Sequence, residues 1–316
     1  LPNGNRLKDP YAILRNSLPI EQKELRELQN KLEDTSDDLR GSRWSAISKA
    51  TSRSQFLVSN RKNLILDSIP EENKEKASNL LSNLKEDLDE LGKIANEKNK
   101  VLFLDVRRQS LKKIDDLEAL LITNNYPHNI PSEYDNLPRL LGRANVEIKT
   151  SQGNMNAIID GYNAPLTAGT FIDLSLKGFY DGLPINRAEE FFILQTGDPK
   201  GDEVGYIDLD TNKRRTIPLE IRTPNLEDTL YGETFEDVGL YTETPTLPFA
   251  TLGTLGWAHS DSDLNDGSSQ FFFFLYEAEL NPAGRNLIDG RNAAFGYVIE
   301  GSEILNKLGV DDKIIE

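Results

Sequence analysis

Glycine is nearly absent before residue 142 and frequent after it. Of 22 glycines in 316 residues, only Gly4, Gly41, Gly92 and Gly142 lie in the first 142, leaving 18 for the remainder. Charge breaks at the same place: residues 1–142 hold 23 basic and 23 acidic side chains, whereas residues 143–316 hold 13 and 29, so 13 − 29 carries the whole net charge of −16. A glycine-poor stretch of balanced charges favours helices, and frequent glycine among aromatic residues favours strands and tight turns. One chain therefore holds two kinds of fold.

Apolar spacing in the first part is helical. Leu25, Leu28 and Leu32 share one face; so do Ala77, Leu81, Leu84, Leu88, Leu91 and Ala95; Leu104, Leu111, Ile114, Leu117 and Leu121 form a third stripe. Trp44 and Ile47 open another helix that runs, with a break, toward Leu66, and Pro70 before Glu71 and Glu72 marks a helix start. Long helices on short connections predict an antiparallel bundle over residues 1–123. Pro127, Pro131 and Pro138 then make residues 124–142 an extended linker.

Past Gly142 the pattern alternates. Residues 144–149 and 154–160 read as strands joined by a hairpin at Ser151-Gln152-Gly153, and residues 164–178 as a helix closed by Gly178. Further strands are predicted at 191–195, 251–258, 269–275 and 294–299. Many short strands with few helices imply an antiparallel β-barrel over 143–316.

Composition also excludes chemistry. With no cysteine there is no disulfide, thiolate nucleophile or cysteine zinc site, and His128 and His259 are the only histidines. A pI near 4.7 argues against nucleic acid or anionic lipid as a general partner. No apolar run of about 18 residues is present to span a bilayer, and the opening Leu1-Pro2-Asn3-Gly4 implies a mature form whose targeting peptide has been removed. Asp208 to Asn212 starts like a calcium loop, but Lys213 and Leu219 stand where that loop needs glycine and glutamate.

Five ordered segments resemble the cyclophilin family of prolyl cis/trans isomerases: Phe179–Gly182 followed by Asn186-Arg187, Phe192–Asp198, Tyr231–Asp237, Ser268–Phe273 and Phe295–Gly301. The resemblance implies a catalytic Arg187 that donates to the imide nitrogen as the X–Pro bond twists over its ~20 kcal/mol barrier. It implies an apolar proline pocket of Phe192, Ile193 and Phe272 with Leu287 at the rim and Asn292 on the wall. Gln195 and Gln270 would orient Arg187 and the substrate carbonyl, and Ala258 and His259 would pair with the peptide. No metal or other cofactor is called for.

Several positions depart from the family pattern. Leu287 stands for a rim tryptophan, Asn292 for a histidine, Ile193 for a methionine and Thr196 for a glycine, while residues 199–250 form a longer, acidic insertion read as a loop at the pocket mouth. A helical bundle ahead of such a domain resembles the multidomain cyclophilins of the plant chloroplast thylakoid lumen, whose bundle is likened to extrinsic subunit Q of photosystem II. That resemblance implies a lumenal assembly and maintenance factor, chaperone-like, with weak or absent isomerase activity. Its partners would be proline-containing lumenal loops of the chlorophyll-binding photosystem II subunits, with the bundle docking on the barrel. The alternative is an active isomerase regulated by its helical domain.

Overall fold

The computed structural model describes residues 9–122, 129–202, 204–276 and 287–316; His128, Pro127 and the opening tetrapeptide lie outside them. The chain separates into two compact units, Leu18–Asn125 and a second made of Leu1–Ser17 with Tyr126–Glu316.

Helix α1 (Pro10–Asn16) belongs to the second unit, although the sequence reading placed it in the bundle. Ile13 and Leu14 are buried in that unit's core. Arg143 locks the connection: its guanidinium donates to the Leu14 carbonyl and Ser17 Oγ and pairs with the buried Asp160 at 2.7 Å. Asn163 donates to the Ser17 carbonyl at 2.9 Å. Seven residues are too few to hold a helix in water, so this tertiary clamp decides its fate, and no local spacing announces it.

The first unit is a four-helix bundle of α2 (Lys23–Arg40), α3 (Trp44–Asn60), α5 (Lys74–Glu97) and α6 (Lys100–Ala119), with the short α4 (Lys62–Asp67) after the break at Arg61. Each long helix packs on two others, α2 and α5 both lying between α3 and α6. Cross-helix pairs run antiparallel: Arg26 faces Glu118 at 3.6 Å and Arg107 donates to Thr35 and Ser36 at the opposite end of α2. The expected stripes of α2 and α5 are buried. On α6 the buried face runs through Phe103, Val106, Ser110, Ile114 and Leu117, while Leu104, expected on it, is exposed. Phe103 takes the interior position because its ring meets Trp44 edge-on at 6.3 Å.

In the second unit, β1 (Arg143–Thr150), β2 (Gly153–Asp160), β3 (Ile185–Glu189), β4 (Ile193–Thr196), β9 (Thr254–Trp257), β10 (Phe271–Phe274) and β11 (Ala294–Glu300) form one antiparallel sheet in the order β1-β2-β11-β9-β10-β4-β3. The ladder does not run directly from β3 to β1. Residues 312–316 bridge the two edges, with Ile314 N donating to Leu183 O and Ile315 N to Lys149 O. Helix α7 (Pro165–Leu176) packs on β2 and β11.

The insertion is more than the surface loop expected. It forms two small hairpins, β5 (Ile207–Asp208) with β6 (Lys213–Arg214) and β7 (Glu220–Ile221) with β8 (Leu230–Tyr231). Its Tyr206, Ile217, Leu219, Ile221, Phe235, Leu247 and Phe249 enter the core of the unit. Aliphatic and aromatic side chains spaced among acids are enough to fold it down, because burial of apolar area outweighs the acidic average of the segment.

Candidate functional site

Strand register lines up the expected site residues. Arg187 on β3 lies opposite Gln195 on β4, Gln195 opposite Phe272 on β10, and Phe272 opposite Gly256 on β9. Because side chains alternate along a strand, Arg187 and Glu189, Ile193 and Gln195, and Phe272 and Phe274 project from one face of the sheet, leaving Phe271 and Phe273 for the other. The sequence reading expected Phe191 and Phe192 inside a strand; they form the β3–β4 turn instead, closed by Phe192 N donating to Glu189 O at 3.0 Å.

The apolar floor is aromatic. Phe272 stacks on Phe249 with centroids 5.8 Å apart, Phe249 meets Phe274 edge-on at 5.7 Å, and Phe192 meets Phe274 edge-on at 6.3 Å. Ile193 is buried beneath, and Phe192 is partly open to solvent. Gly256 makes room for this stack, since a Cβ there would sit 2.3 Å from the Phe272 ring. Phe249 was missed from the sequence because it ends the insertion; the apolar run Leu247-Pro248-Phe249-Ala250 was its only local signal.

The polar groups pair differently from the expectation. Gln195 Nε2 donates to Gln270 Oε1 at 2.7 Å, Asn186 Nδ2 to the same oxygen at 3.2 Å, and Gln270 Nε2 to Asp198 Oδ1 at 3.0 Å. Arg187 is held by Glu189 two residues along its strand, with Nε donating at 2.7 Å, so the two glutamines brace each other and Asp198 while a carboxylate holds the arginine. Ala258 N donates to Gln270 O at 3.1 Å. The His259 ring nitrogens lie 2.8 Å from the Ser260 carbonyl and 3.0 Å from the Arg291 carbonyl, tying the end of β9 to the loop that carries Asn292. Asn292 Nδ2 donates to Trp257 O at 3.4 Å, and Leu287 is 79% exposed.

Phe191 has φ +62° and a ring 53% exposed. Left-handed backbone costs a non-glycine L-residue about 1–2 kcal/mol, so this turn carries strain beside the floor.

A second group escaped the sequence reading. Glu220 of β7 is fully buried and caps α7 from outside, accepting from Leu166 N at 3.1 Å and from Thr167 N and Oγ1 at 2.9 Å each. Helix α7 begins Ala164-Pro165 with no side-chain cap of its own, which is the signal that an acceptor must come from elsewhere. Burial pushes the Glu220 carboxyl up to about 7, outweighing the donors from Thr167, Leu166 and Tyr231 that favour its charged form. Glu220 and Asn292 line one small cavity, so the cap of α7 adjoins the segment that carries Asn292.

Comparisons with known proteins show the family. The family model for cyclophilin type peptidyl-prolyl cis-trans isomerases matches residues 145–313, and that for the CYP38-like PsbQ-like domain matches residues 9–122. A Synechocystis protein named as a thylakoid lumen peptidyl-prolyl cis-trans isomerase is 44% identical over 315 residues, covering 100% of this chain and 83% of its own. The chloroplastic peptidyl-prolyl cis-trans isomerase CYP38 of Arabidopsis thaliana is 36% identical over 325 residues, covering 99% and 74%. Among solved structures, a Cryptosporidium parvum cyclophilin type isomerase in the presence of the dipeptide ala-pro is 24% identical, covers 54% of this chain and 95% of that one, and gives a TM-score of 0.39. Relatives matched over nearly the whole chain are thus lumenal and chloroplastic isomerases, and the thylakoid lumen is the compartment assigned here. With its aromatic floor, Arg187 and paired glutamines on a seven-stranded sheet, and with a PsbQ-like domain earlier in its sequence, the chain belongs to the cyclophilin family of peptidyl-prolyl cis-trans isomerases.

Proposed function

We propose that the chain is a chaperone-like assembly and maintenance factor for photosystem II, whose cyclophilin pocket holds proline-containing lumenal loops with little turnover. The observation that carries this reading is the Arg187–Glu189 pair. Isomerisation is accelerated by a donor that interacts more strongly with the twisted imide than with the planar one. A guanidinium already bonded to a carboxylate must give up that bond to serve, whereas the aromatic floor can hold a proline ring regardless. The PsbQ-like domain and the lumenal relatives support photosystem II as the client.

A protease-free exchange assay on the full chain with an X–Pro peptide tests it. Parent turnover is expected to be low and to change less than about threefold in Arg187→Ala, within the range of an exposed polar contact. Turnover that Arg187→Ala abolishes would overturn the reading in favour of a working isomerase. Glu189→Gln, which frees the guanidinium from an exposed ion pair worth about 0.2–1 kcal/mol, should raise turnover by up to about fivefold. An unchanged rate would remove the pair as the restraint.

A further inference from the structure

Among the described residues of the second unit, positive φ is found at eleven glycines, at Asn212 and at Phe191. Asparagine tolerates this region through its short polar side chain; phenylalanine does not. The turn from Glu189 to Phe192 would close as well with glycine as its third residue, the usual choice where φ must be positive. Burial does not offset the strain. The Phe191 ring is more than half exposed and makes no ring contact among the described residues, whereas the neighbouring Phe192 ring packs edge-on against Phe274. A strained, exposed aromatic side chain with no structural return is the kind of outlier that points to use by a ligand.

Its position says which ligand. Phe191 sits on the hairpin that carries Arg187, adjoining Phe192 at the edge of the aromatic floor. Glu190, immediately before it, is exposed and makes acidic side chains unwelcome. We infer that Phe191 forms an apolar subsite beside the proline pocket, which takes a large aliphatic or aromatic client side chain flanking the proline. This rests on reading the pocket as client-binding. The subsite selects among proline sequences, while the floor supplies the contact common to all of them.

Binding to the full chain, measured by NMR titration, tests it with two five-residue peptides, one with leucine on both sides of the proline and one with glycine on both. The parent should bind the leucine peptide about fivefold tighter, as expected for partial burial of one apolar side chain on an aromatic ring. Phe191→Gly and Phe191→Asn should both bring the ratio to about one, while Phe191→Tyr should keep it. Phe191→Gly should also unfold at higher urea than the parent because it relieves the backbone. A ratio unchanged in both the glycine and asparagine variants, or equal affinities in the parent, overturns the subsite alone. A parent that binds neither peptide removes the client-binding reading and the subsite with it.

Discussion

Alanine in place of Phe271 should lower the unfolding free energy of the cyclophilin unit by about 3–5 kcal/mol, the range for removing a fully buried phenylalanine. The ring is 2% exposed and touches four others, Phe171 at 5.1 Å, Tyr180 at 5.2 Å, Phe273 at 5.4 Å and Phe295 at 6.4 Å. Those rings come from α7, the segment after it, β10 and β11, so the void opens where the helix meets the sheet and no single element can close it. Phe271→Leu keeps most of the volume and should lose less than about 2 kcal/mol. Urea unfolding followed by Trp257 fluorescence reads this unit if Trp44 is first replaced by phenylalanine, because those are the only two tryptophans. A loss below 1 kcal/mol for the alanine variant would show that the aromatic cluster relaxes around the gap.

The second large effect depends on pH. The Glu220 carboxyl titrates near 7 when folded, against 4.5 for the ordinary group. Its folded value is the higher one, so the native state binds the extra proton between those pH values. The stabilisation is fully present below 4.5 and is lost as pH rises through 7, amounting to about 3 kcal/mol for a shift of this size. Asp173 and Asp266, whose carboxyls are held below their usual range by Lys177 with Arg215 and by Ser260, lose stability only at lower pH. The parent should therefore weaken relative to Glu220→Gln as pH rises from 4.5 to 8, with the same Trp257 readout. A parent-to-variant difference that stays flat over that range would mean that the four donors keep Glu220 charged throughout. Since Glu220 holds the insertion to the start of α7 and shares a cavity with Asn292, loosening it should also be felt at Asn292.

Part of the candidate site is legible in the sequence, as what the cyclophilin resemblance implies. Arg187, Gln195 and Phe272 belong to the segments that carry the resemblance, and the register places them in one row across three strands, continued by Gly256 on β9, while Gln270 precedes β10. What the motifs did not carry was the partner of each polar group. Glu189 stands two residues from Arg187, but whether strand alternation turns both side chains to one face depends on the ladder. Gln270 pairs with Asp198, 72 residues away in sequence. Phe249 and Glu220 lie in a stretch whose acidity hid them, and both work through contacts at long sequence separation.

Local physics in the sequence alone determined the two-part organisation: where glycine is rare and leucines recur every three or four residues the backbone goes helical, and where glycine and aromatics alternate it forms strands. The leucine stripes of α2 and α5 needed no tertiary information, because helical periodicity is set by neighbours within one turn. Only the tertiary structure decided that α1 joins the cyclophilin unit, that Phe103 rather than Leu104 faces the bundle interior, and that the insertion folds into the core. Each of those outcomes turns on a partner more than forty residues distant, Arg143 for α1, Trp44 for Phe103 and the α7 N-terminus for Glu220. Burial and hydrogen bonding between distant segments are resolved only when the chain has closed on itself, and a linear pattern does not contain them.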